Sequence, residues 1–244
     1  MQHEDRRTAL IGFAGAAVAG AGLLLAACSK GEREEGGEGS EGEVTANEDL
    51  MREHGVLRRI LIAYREVAPK LLANAAAVDA AALANAAKLF QAFGERYHEQ
   101  LLEEAHIFPI VRKGGGDAGL LDTLLAQHAR GREITGYILD RTRSGRVGTG
   151  DAEPLARTLT TFSRMYEPHA AREDTVVFPA FKKAVGEERY SELGEQFEEI
   201  EKHEFGGDGF DMAVDKIAEI ERALGTADLA AFTAPRTGPV NSRG

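Results

Sequence analysis

The chain has no tryptophan and one cysteine, Cys28. A lone thiol cannot close an internal disulfide. Downstream of it no thiolate is available, so any bound metal must be held by nitrogen and oxygen ligands. A basic surface is lacking too. The 29 Lys and Arg stand against 40 Asp and Glu, a net charge of −11. That excludes the positive patch needed for nucleic acid, and no nucleic-acid partner is expected. No segment alternates apolar and polar residues over a strand length, and no Asn-Gly hairpin signal occurs. What is abundant is Ala, Leu, Glu, Lys and Arg, the good helix formers, so an all-α fold is expected.

The one long apolar run lies at the N-terminus, from Leu10 to Ala27, after the Arg6-Arg7 pair. It reads as a targeting segment over residues 1–27, not as part of the fold. Leu25-Ala26-Ala27-Cys28 resembles a bacterial lipobox, which implies export and a lipid anchor on Cys28 at the periplasmic or extracellular face of a cell membrane. The other reading of the run is an N-terminal transmembrane anchor. The Arg pair also partly matches a twin-arginine signal, which would mean export of a folded chain. Residues 28–46 are mostly Gly, Glu and Ser and read as an acidic tether. Residues 225–244 carry Pro and Gly turns and are expected to be disordered.

Between them, over residues 47–224, apolar residues recur at helical spacing in five stretches. The first spans Glu48 to Leu72. The second opens on Asp79 as N-cap, with Val78 and Leu83 placed as a staple, and reaches Arg112 before Gly114-Gly115-Gly116. The third opens on Asp117 and ends near Ser144-Gly145. The fourth opens on Asp151, with Pro154 in its first turn, and runs to Val185. The fifth begins near Glu187, breaks at Gly206-Gly207, and is followed by an amphipathic piece from Asp208 to Leu224. Long helices and short loops predict an antiparallel four-helix bundle with an additional C-terminal helix.

The bundle sequence repeats. Glu53-His54 with Arg58, Tyr97-His98, Glu103-Glu104 and Phe108-Pro109 are echoed by Gln127-His128 with Arg132, His169, Glu173-Asp174 and Phe178-Pro179. His169 and Glu173 are four apart, so they share one helix face, and that face is apolar. A His and a Glu are costly to bury on such a stripe unless paired or metal-bound. Imidazole with carboxylate suits iron, manganese or zinc. Taken singly, each His could be a hydrogen-bonded core residue and each acidic pair a solvated face; the twofold recurrence is what points to a metal.

This order of residues resembles the hemerythrin-like cation-binding domain, over roughly residues 47–224. The resemblance implies a non-haem centre of two irons, with Mn or Zn as other possible occupants. It implies His54, His98, Glu103, His128, His169 and Glu173 as ligands, and a diatomic or peroxide ligand at an open iron position. One spacing departs from the pattern. His98 and Glu103 are five apart, with Leu102 where the Glu should stand. On an α-helix that separates them by ~140° around the axis. A π-bulge would restore one face. Alternatively Glu99 replaces His98, or His106 joins Glu103 as an i, i+3 pair. His203, five before Asp208, is a further candidate ligand on the last helices.

Arg58 and Arg132 read as salt-bridged or exposed, or as partners of site carboxylates. Tyr97 and Tyr166 read as packing residues with a polar tip, or as donors to a bound oxygen species. The function expected is binding of oxygen, nitric oxide or peroxide at two irons. The rival uses of the same scaffold are a di-metal peroxidase or oxidase, and a surface metal buffer. Membrane contact would be through the lipid anchor alone.

Overall fold

The computed structural model describes residues 44–236. The signal segment, Cys28, all but the last residues of the tether, and the end of the tail lie outside the described residues.

Four long helical rods form the bundle. The first is α1 (Ala46–Asn74), followed by a 3-10 turn at Ala75–Ala77. The second runs from α2 (Ala80–Leu89) through a π-helical segment (Phe90–Ile107) into α3 (Phe108–Lys113). The third is α4 (Ala118–Thr142). The fourth joins α5 (Ala152–Arg172), a second π segment (Glu173–Val177) and α6 (Phe178–Val185). Two further helices cover the outside. α7 (Glu187–Phe205) packs on α1, α6 and the first π segment, and α8 (Gly209–Leu224) packs on α1 and α2. Among the described residues there is no strand, and no helix is long and apolar enough to cross a membrane.

The starts and stops follow local chemistry. Asp79 accepts from the backbone N–H groups of Ala81 and Ala82, both at 2.9 Å, and Asp117 accepts from that of Leu120. Each bond satisfies a donor that the first helical turn leaves free. Asp208 does the same for Asp211 and opens α8. Gly206 ends α7 at φ 72°, a left-handed conformation that a side chain would oppose. Asp151 differs from expectation. It closes a 3-10 turn (Thr149–Asp151), makes no cap bond, and accepts from Arg141 instead. The tail also differs over its first part. Asp228 caps a 3-10 turn at Leu229–Phe232, where the sequence predicted disorder.

The two π segments share a mark in the sequence. Each ends at a Phe-Pro pair, Phe108-Pro109 and Phe178-Pro179. Proline lacks an N–H and its ring collides with the carbonyl four residues back. The last turn before it is wide. Phe108 N–H bonds to the Glu103 carbonyl and Phe178 N–H to that of Glu173, both five residues apart. The apolar core below is aromatic: Phe90, Phe162 and Tyr166 meet edge to face with ring centroids 4.9–5.0 Å apart.

Candidate metal centre

Two clusters of His and Glu face each other in the bundle. His54 from α1 joins His98 and Glu103 from the first π segment. His128 from α4 joins His169 from α5 and Glu173 from the second π segment. All six side chains are buried. The wide π turn brings residues five apart back onto one face, so His98 and Glu103 point the same way, with His98 Nε2 3.5 Å from Glu103 Oε1. Of the three arrangements open in sequence, this is the π-bulge.

Within each cluster the two imidazoles aim their Nε2 atoms at one point. His54 and His98 Nε2 lie 2.9 Å apart, and His128 and His169 Nε2 lie 3.0 Å apart. Two ligands at right angles, each about 2.1 Å from a shared metal, are about 3 Å apart, so both pairs have the spacing of adjacent ligands.

The two carboxylates join the clusters. Glu103 Oε1 faces His98 while its Oε2 lies 3.4 Å from His128 Nε2. Glu173 Oε1 lies 3.0 Å from His169 Nε2 while its Oε2 lies 3.5 Å from His54 Nε2. Both groups are buried, and none of their four oxygens has a hydrogen-bond partner. Orphaned buried carboxylate oxygens are costly and call for an explanation such as a metal ion. This donor set fits a pair of divalent cations spanned by two carboxylates.

A second ring of residues fixes every imidazole through Nδ1. His54 Nδ1 pairs with Asp174 at 2.7 Å, and Arg58 donates to the same carboxylate. His128 Nδ1 pairs with Glu104 at 3.0 Å, and Arg132 donates to Glu104 at 2.9 Å. His98 Nδ1 pairs with Glu53 at 2.6 Å, and His169 Nδ1 with Gln127 at 2.8 Å. An acceptor at Nδ1 places the ring proton there and leaves Nε2 free as a ligand. The pairing is crossed. Asp174 follows Glu173 of the second cluster yet holds His54 of the first, and Glu104 follows Glu103 of the first yet holds His128 of the second. The Phe-Pro phenylalanines complete the symmetry: Phe178 stacks on His54 at 5.5 Å and Phe108 on His128 at 5.6 Å.

The electrostatics are those of a site held by protons until a cation replaces them. Burial pushes His98 down, but Glu103 and Glu53 outweigh it and hold its proton affinity well above the usual imidazole range. Burial likewise opposes protonation of His128, and Glu99, Glu104, Glu173 and Glu103 reverse it. For His54, burial and His98 press downward while Asp174 and Glu173 raise it overall. Burial would raise Glu173, but His169, His128 and His54 hold its carboxyl well below the usual range.

The remaining candidates fall elsewhere. Glu99 is not in the cluster of His98, but with Glu104 and His128 it forms a further group of possible ligands. It is buried, accepts from the Tyr166 hydroxyl at 2.6 Å and pairs with Arg132 at 3.1 Å. His106 is half-buried outside the clusters, with its ring 5.7 Å from Phe197, and burial pushes its imidazole down. His203 is exposed on α7 and belongs to neither cluster. Helical phase decides this: α7 turns Glu201 inward and leaves His203 facing out. Arg58 and Arg132 are salt-bridged, as the sequence reading held, and through carboxylates that hold site imidazoles. Tyr97 donates to Glu53 at 3.0 Å, the polar tip of a packing residue. Sequence reasoning missed Glu53 and Gln127. Their signal was present, since each directly precedes the first His of its repeat.

A small cavity of about 10 Å³ lies beside the clusters, lined by His and Glu of both, with Arg58, Glu99, Tyr166 and apolar side chains completing its wall. It suits a group of about one water molecule's size.

A family model of the hemerythrin HHE cation-binding domain matches residues 45–181, a span that holds all six clustered residues and excludes His203. Uncharacterized proteins of Mycobacterium tuberculosis and Mycobacterium bovis are each 42% identical to the chain over 219 residues, covering 86% of this chain and 85% of the relative. No solved structure matches.

Proposed function

The chain belongs to the hemerythrin HHE cation-binding domain family, and from that premise we propose that it holds two irons and binds oxygen, nitric oxide or peroxide at an open iron position. The observation that carries the reading is the pair of buried carboxylates, Glu103 and Glu173, whose oxygens lack hydrogen bonds and face imidazoles of both clusters. His54 and His98 would hold one ion, His128 and His169 the other, with the carboxylates spanning both.

When bound, iron supplies an open coordination position and a reversible change of oxidation state. The chain's own residues do the rest. Asp174, Glu53, Glu104 and Gln127 keep all four Nε2 atoms pointed inward. The Phe178 and Phe108 rings shield His54 and His128. The cavity admits one small molecule, and Tyr166 and Glu99 give its wall a proton donor and an acceptor.

Metal analysis of protein loaded under nitrogen should give two irons per chain. Admitting oxygen should produce a charge-transfer band that is absent from Glu173→Ala. One zinc per chain, or a spectrum indifferent to oxygen, nitric oxide and peroxide, refutes the reading. The polar wall also favours a second use, peroxide reduction by the same centre, and steady-state peroxide turnover lost in Glu173→Ala would mark it. For location, the proposal is an exported protein held to the periplasmic or extracellular face of a cell membrane by lipid on Cys28 of the lipobox-like segment. Mass spectrometry of the mature chain, with Cys28→Ser as control, tests that.

A further inference from the structure

One group of buried polar residues has no part in the centre as described. Glu95, on the first π segment, meets Tyr64 of α1 and Thr135 of α4 within the core. Their exposures are 3%, 0% and 0%. Glu95 Oε1, the Tyr64 hydroxyl and the Thr135 hydroxyl all lack a hydrogen-bond partner. Three polar side chains gathered in an apolar core are expensive to bury, even with Thr135 close enough to favour the Glu95 carboxylate, and apolar residues of the same shape would avoid the cost.

Position suggests what the cost is for. Glu95 stands four residues before Glu99 on the same rod. Glu99 accepts from Tyr166, and both line the small cavity beside the clusters. The groups whose charge or dipole Glu95 feels come from each packed rod: Tyr64 from α1, Glu99 from its own segment, His128, Arg132 and Thr135 from α4, and Tyr166 from α5. Burial raises the Glu95 carboxyl, with Thr135, Arg132 and His128 opposing and Glu99 assisting, to about 7. Near neutral pH it can therefore either hold or accept a proton.

We propose that Glu95, with Tyr64 and Thr135 around it, is an internal proton store for the centre: when a weak acid binds beside the clusters as its anion, the proton it sheds ends on Glu95. This rests on the ligand-binding reading above. The H–X bond breaks, its electron pair stays on X, and the proton forms an O–H bond at the Glu95 carboxylate. Nothing is oxidised or reduced. Tyr166 and Glu99 line the cavity, and both feel the charge of Glu95. The store allows an anion to enter a buried site without a second charge leaving the protein.

The probe is cyanide, which at slightly alkaline pH is mostly hydrogen cyanide and coordinates as its anion. Full-length iron-loaded protein is titrated in weak buffer with a pH indicator. Glu95→Gln should release about one proton per cyanide bound, and the wild type clearly fewer. Metal-free protein gives an independent reading. Its infrared spectrum should show a neutral carboxyl stretch that titrates near neutral pH and is missing from Glu95→Gln. Equal proton release in the two proteins, or no such stretch in the wild type, overturns the store. A centre that takes up no cyanide overturns the ligand-binding reading and the coupling with it. A centre that binds cyanide with equal release overturns the proposal alone.

Discussion

Gly131 is the position where a single methyl group should reach the centre. It lies in α4, three residues after His128, and is buried against Tyr166. A Cβ there would collide with the Tyr166 hydroxyl and stand 3.0 Å from both Cε2 and Cζ of the ring. The ring cannot swing aside. Phe90, Phe162 and His169 surround it with centroids 4.9–5.0 Å away. Gly131→Ala should therefore push Tyr166 off Glu99. Overpacking costs about 2 kcal/mol. Losing a hydrogen bond to a carboxylate costs about 2 kcal/mol more. Better helix propensity returns about 1 kcal/mol. The net is a loss of about 3 kcal/mol, or a fall in Tm of about 6–12 °C for a chain of this size. Gly136→Ala, in the same helix with nothing within 4 Å of the added carbon, should instead raise Tm by about 2–4 °C. Thermal unfolding of metal-free protein followed by circular dichroism gives both values. In Gly131→Ala/Tyr166→Phe the hydroxyl is gone, and the two changes should cost less together than their sum. A Gly131→Ala protein as stable as Gly136→Ala would refute the close approach of Tyr166 to α4.

Three further outcomes follow from the same geometry. Burial raises the Glu95 carboxyl to about 7 in the folded chain, so its ionisation contributes nothing at low pH, opposes folding increasingly as pH rises from the ordinary carboxylate range to about 7, and above that costs about 3 kcal/mol. Denaturant titrations at about pH 5 and about pH 8 should show Glu95→Gln gaining on the wild type only at the higher pH. His106→Ala and His203→Ala should leave the metal content of the purified protein unchanged, while His128→Ala lowers it, as plasma emission analysis would read; loss of metal in His203→Ala would contradict its exposed position. Because His54, His98 and His128 bind protons more tightly than free imidazole, a metal must displace those protons, and affinity should weaken on acidification by up to about tenfold per displaced proton per pH unit. Competition with a chelator across pH measures that slope, and a flat profile would show that the imidazoles are not the ligands.

Much of the fold is local in origin and therefore readable along the chain. Asp79, Asp117 and Asp208 cap helices because a carboxylate two or three residues ahead of a free N–H needs no tertiary help. The apolar spacing in α1 and the Gly206 stop are local in the same sense. The doubled His, Glu and Phe-Pro pattern was visible for the same reason, and it identified all six residues that now cluster. Asp151 shows where locality ends: the carboxylate had a cap within reach, and Arg141 on another helix took it.

What the sequence by itself determined was a helical chain with two matching sets of nitrogen and oxygen ligands and no thiolate among them. What only the tertiary structure decided was how the sets interlock. A π turn adds a residue per widening, and periodicity of the α type cannot reveal whether His98 and Glu103 share a face. The crossed pairs are more distant still, since His54 and Asp174 lie 120 positions apart. A side chain's second nitrogen is assigned its partner by the packing of two rods, and no spacing within either rod encodes it. Glu95, Tyr64 and Thr135 look ordinary in sequence because burial without a partner is a property of the assembled core.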